Sequence, residues 1–233
     1  MKTSLLLLAL AAASLTPAAA QTSAKPAAAQ AAPAGYHDLL AATIKDLMST
    51  GDPAQLKDLA ARLERAAAVA PQDWLPRYYQ GYALLITTFQ SKEDGDVKDK
   101  YLDQAEAALQ QARRLRGDES ELLVLQAYIY QARLGISPMM RSMTYSQKVD
   151  ETLAQAKKLN PANPRIYLVQ GNNLYFTPKM FGGGAEAAKP VYDEAKQRYA
   201  AFRPASALAP NWGERQLLGR LKQYDAAGAQ AAK

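Results

Sequence analysis

The chain has 233 residues, a net charge of +6, no cysteine and a single histidine, His37. That composition excludes disulfides, thiol nucleophiles and cysteine-ligated zinc, and it removes histidine-based triads and HExxH zinc sites. Lys and Arg are interspersed with Asp and Glu instead of forming a dense basic stripe, so nucleic acid is not an expected partner.

Residues 1–20, MKTSLLLLALAAASLTPAAA, carry a basic Lys2, an apolar run from Leu5 to Ala13 and an A-x-A site at Ala18–Ala20. This is the pattern of a cleaved secretory signal peptide, too short to span a bilayer, with Gln21 as the new N-terminus. The chain is therefore expected to be exported, periplasmic or secreted. Residues 21–35, QTSAKPAAAQAAPAG, are Ala/Pro-rich with one charge and read as a disordered tether. No later apolar run is long enough to cross a membrane.

From Tyr36 onward the apolar residues recur at helical spacing, and no segment alternates like a strand. YHDLLAATIKDLMS and PAQLKDLAARLERAAAVAP form a first helical pair, separated by the stop-and-restart STGDP. Three longer units follow, marked by RYYQGYALL, LVLQAYIY and YLVQGNNLY. In each, a Gln precedes a small residue: Gln80-Gly81, Gln126-Ala127 and Gln170-Gly171, spaced 46 and 44 residues apart. A second pattern lies downstream of each: Ala105-x3-Leu109-x2-Ala112, Val149-x3-Leu153-x2-Ala156 and Ala188-x3-Tyr192-x2-Ala195. Small residues at these positions let two helices approach closely, while the large residue fills the gap between them. Pro71 and Pro161 close units. PNWGERQLLGRLKQYDAA reads as a solvating cap helix, and residues 226–233 as a frayed tail.

These paired patterns resemble the tetratricopeptide repeat (TPR), over about residues 53–202. The resemblance implies an all-α fold: a right-handed α-solenoid of antiparallel helix pairs, about nine helices in residues 36–225. The units exceed the family's 34 residues, and the surplus, SKEDGDVKD, LGISPMMRSMTYS and FTPKMFGGG, is expected to form extended loops within each pair.

The run Gly182–Gly184 lies in the third of these segments. A P-loop needs a preceding strand and a following Gly-Lys-Ser/Thr, and neither is present, so the glycines read as a tight corner. Asp94, Asp96 and Asp99 lack the final glutamate of a calcium loop and read as solvated. Met139, Met140 and Met143 read as packing for an extended loop instead of soft metal ligands. No catalytic residue, metal site or cofactor site is expected.

In tetratricopeptide proteins the first helices of each pair line a concave groove that holds partner peptides. On that frame the groove here carries Arg77, Tyr78, Tyr82, Tyr128, Gln131, Arg165, Asn172 and Tyr175. Tyr and Arg are frequent binding anchors. Asn172 falls at the asparagine position of the family's carboxylate clamp, but Leu168 replaces the clamp lysine. The resemblance thus implies a non-catalytic module for a protein or peptide partner in the bacterial envelope. Two alternatives remain: an accessory subunit of an envelope enzyme or a weak hydrolase, or a scaffold that forms weak homo-oligomers through a terminal face carrying Leu217, Leu218 and Leu221.

Overall fold

A computed structural model describes residues 32–231, with side-chain surroundings given through Ala226. The segment expected to be a signal peptide and most of the expected tether, residues 1–31, lie outside the described residues. Within them the fold is all-α, with nine α-helices and no strand. In chain order they are α1 (Tyr36–Ser49), α2 (Pro53–Val69), α3 (Leu75–Gln90), α4 (Gly95–Arg114), α5 (Glu119–Ile136), α6 (Pro138–Leu159), α7 (Pro164–Phe176), α8 (Ala185–Ala201) and α9 (Glu214–Ala231). The last helix runs on past Asp225 into the segment expected to fray.

Local chemistry sets the boundaries. The Asp52, Asp94 and Asp118 carboxylates each accept the backbone N–H three residues ahead, and Asn163 caps α7 in the same role. Pro53, Pro76, Pro138 and Pro164 occupy first-turn positions, where no amide hydrogen bond is lost.

Each helix packs on the next, and α5 also packs on both α3 and α7, which makes these three an inner row. One contiguous core runs from Tyr36 to Leu221. The small residues of the repeat frame sit at the pair contacts. A Cβ on Gly171 would meet the Tyr192 ring at 2.6 Å, and one on Gly81 would meet the Ala105 carbonyl oxygen at 3.2 Å.

The extended loops expected in the first two long units are absent. Residues 95–100 and 138–146 instead lengthen α4 and α6, which run to 20 and 22 residues. Side-chain ties hold the added turns in place. Arg141 on α6 pairs with Asp99 on α4, and Arg133 on α5 bonds Asp99, Asp103 and Glu106. Asp94 and Asp99 are thereby committed to a cap and an ion pair. The methionines pack nothing: Met139, Met140 and Met143 are 96%, 85% and 91% exposed on the first turns of α6. Only the third segment remains a turn, with a single 3-10 turn at Lys179–Phe181.

Candidate functional site

Four of the expected groove residues, Tyr78, Tyr82, Tyr128 and Arg165, converge, but the chain itself covers them. Residues 202–213, irregular between α8 and α9, lay a strap across the inner row. The Trp212 ring stacks on Tyr82 with centroids 4.9 Å apart and on Tyr128 at 5.8 Å. Its Nε1–H donates to the Tyr78 hydroxyl at 2.8 Å. Two phenols grip the strap backbone: Tyr79 donates to the Leu208 carbonyl and Tyr199 to that of Trp212, each at 3.0 Å. Gln216 on α9 then donates to the Tyr128 hydroxyl at 2.6 Å.

As a result Tyr78, Tyr82, Tyr128 and Arg165 are buried, not open to a partner, and Asn172 is buried as well. Burial raises the phenol pKa values of Tyr78 and Tyr82 well above their usual range and pushes Tyr128 up to about 12. Asn172 accepts a hydrogen bond from the Tyr192 hydroxyl at 2.8 Å, so it is engaged within the core. Gln131 donates to the Val169 carbonyl, and Arg77 to the Gln80 amide oxygen. The sequence frame located the inner row but had no signal for the strap. The Trp of PNWGERQ looked like part of a cap helix, whereas α9 begins only at Glu214.

Arg165 sits fully buried beneath the strap. Its Nε donates to Glu121 Oε2 at 2.8 Å, and Nη2 bonds Oε1. The guanidinium lies 4.6 Å from the Phe202 ring centroid and 5.8 Å from that of Trp212. Burial pushes the Glu121 carboxyl upward, and the Arg165 charge opposes that shift. Arg165 Nη1 is buried without a hydrogen-bond partner among the described residues.

Tyr175 alone among the expected residues belongs to an accessible aromatic face. Tyr175 and Phe176 meet edge to face at 5.1 Å at the end of α7. Arg220 on α9 lies 4.2 Å from the Tyr175 ring centroid and 5.4 Å from that of Phe176. Tyr224 approaches Tyr175 at 6.3 Å, and its hydroxyl donates to the Ala185 carbonyl at the start of α8. The glycine turn is folded back against the same place, because the Gly184 N–H donates to the Leu174 carbonyl at 2.8 Å. Gly182 and Gly184 take φ of 81° and 101°, in the region that favours glycine. The turn presents Met180 and Phe181 outward, 83% and 71% exposed, beside Phe176 at 68%. The corner expected at the three glycines is thus present, and it displays apolar side chains that sequence reading did not single out. Lys179 and Lys189 lie near this rim, each paired with a carboxylate, Glu186 and Asp193 respectively.

No protein-family model matches the chain, and no curated protein matches it in sequence. Among solved structures the chain is similar to the HusA haemophore from Porphyromonas gingivalis, at 35% sequence identity and a TM-score of 0.74. The similarity covers 84% of this chain and 96% of that one. With this identity over nearly the whole of HusA, the chain belongs to the same family.

Proposed function

We propose that the protein is an exported, non-catalytic haem-binding protein, and that haem docks on the aromatic rim formed by Tyr175, Phe176, Met180, Phe181, Arg220 and Tyr224. The 35% identity to a haemophore across 96% of its length carries this conclusion. The rim has the chemistry such a ligand needs. Haem is a flat apolar ring bearing two carboxylates, suited to aromatic faces edged by a guanidinium group such as that of Arg220. Met180 and Tyr175 are side chains of types that ligate haem iron.

Export through a cleaved signal peptide fits an extracellular binding role. No helix among the described residues is long and apolar enough to cross a membrane. The right-handed, tetratricopeptide-like course of the helix pairs belongs to the same proposal, supported by Gly81, Ala127 and Gly171 at the helix contacts.

Titrating haem into the chain from Gln21 onward, followed by the Soret band, tests the function. A saturable spectral shift supports it. Absorbance that rises only as free haem does would refute it.

A further inference from the structure

The strap at residues 202–213 is bound the way a ligand is bound. One aromatic anchor, Trp212, enters a slot against Tyr82 and Tyr128, and its indole N–H is read by the Tyr78 hydroxyl. Main-chain carbonyls at Leu208 and Trp212 are read by the phenols of Tyr79 and Tyr199. This combination of side-chain donors on backbone oxygens and one anchor in a pocket is how a rigid surface holds an extended peptide.

Trp212 is seated in the core, but two features set the strap as a whole apart from a helical core element. It has no regular secondary structure, and residues 203–207 are all exposed. It also leaves the groove incompletely used. Arg165 is 1% exposed in its side chain and lies between Phe202 and Trp212, yet its Nη1 has no acceptor. Buried donors are normally satisfied, so the groove offers one more hydrogen bond than its own strap takes up. Glu121 already neutralises the Arg165 charge. A second buried carboxylate would be left uncompensated, so the free donor suits a neutral carbonyl oxygen.

We infer that the inner groove is a second binding site, distinct from the aromatic rim. Its ligand is an extended segment of a partner protein carrying a tryptophan anchor, and the chain's own residues 203–213 occupy the site as a stand-in. A peptide whose additional carbonyl reaches Arg165 Nη1 completes the hydrogen bonding and displaces the strap. Gly213, at φ 106°, is the joint at which the strap leaves α9. A second copy of this chain is not the occupant, since its identical strap would leave the same donor unpaired.

The test uses the chain from Gln21 with Trp212→Ala and a synthetic peptide of residues 203–213 added in trans. The folded variant is expected to bind the peptide saturably, and to bind the same peptide with alanine for tryptophan at least ~10-fold more weakly. A folded variant that binds neither, or both equally, overturns the assignment. Hydrogen exchange on the parent chain supplies a measurement independent of that variant's folding. Amides of residues 203–209 should exchange at least ~10-fold faster than those within α8, and equal protection would overturn the inference. Native mass decides the occupant: a monomer is expected, and a strap-exchanged dimer would contradict a partner-protein ligand.

Discussion

Trp212 Nε1 donates to the Tyr78 hydroxyl at 2.8 Å, joining residues 134 positions apart. That bond closes the inner face of the helical array with the chain's own C-terminal segment. Tyr78 passes the contact on to Glu121 at 3.2 Å, so strap, inner row and buried ion pair form one connected network. Tyr78→Phe leaves the indole N–H buried without an acceptor and should cost about 1–3 kcal/mol of stability. Trp212→Ala also vacates the slot and should cost about 3–5 kcal/mol. Urea unfolding of the two variants checks both values. A Tyr78→Phe protein as stable as the parent would show that the bond contributes nothing.

The buried ion pair predicts a non-additive result. Arg165→Met or Glu121→Gln alone strands a charge or a polar group beneath the strap and should cost roughly 3–5 kcal/mol. The double variant should be destabilised by less than the two single losses added together, because neither charge is left behind. Denaturation of all four proteins measures the coupling, and strict additivity would mean that the two residues act independently.

Helix approach in the third unit depends on a missing side chain. Gly171→Ala places a methyl against the Tyr192 ring, where a Cβ would lie at 2.6 Å. The ring is fully buried and bonded to Asn172, so it cannot swing aside easily. A loss of about 1–3 kcal/mol is expected, read as a lower thermal midpoint. An unchanged midpoint would mean that α7 and α8 separate without penalty.

Much of this was legible from residue spacing alone. Gln80-Gly81 and Gln170-Gly171 marked the inner helices because a close backbone approach requires a small residue at a fixed register. The strap was not legible, since residues 202–213 have no periodicity and the inner-row phenols that bond Leu208 and Trp212 lie 129 and 134 positions away. The lengths of α4 and α6 were missed for a related reason. Residues 138–146 look like a loop by composition, and the tie that keeps them helical, Arg141 to Asp99, spans 42 positions. At the rim, Met180 and Phe181 gave no periodic signal because they sit on a turn, not on a helix face.

Alkaline pH should unfold the protein. Burial raises the phenol pKa values of Tyr78, Tyr79, Tyr82, Tyr192 and Tyr199, while the unfolded chain ionises near pH 10. A pKa raised in the folded state means that its contribution is fully present below pH 10. The contribution is lost as pH rises beyond that value, because the unfolded state releases the protons first. Phenolate absorbance should therefore rise steeply and together with loss of helical circular dichroism. Gradual ionisation of all 13 tyrosines with helicity retained would contradict this.

The proposed function rests on haem binding at the aromatic rim. The decisive measurement is a Soret titration of the chain from Gln21 beside Phe176→Ala/Arg220→Ala, both at the same ionic strength. The parent should saturate, and the double variant, still folded by circular dichroism, should bind at least ~10-fold more weakly through loss of an aromatic face and a carboxylate partner. Absence of saturable binding by the parent would contradict the function, and equal binding by both proteins would contradict the site.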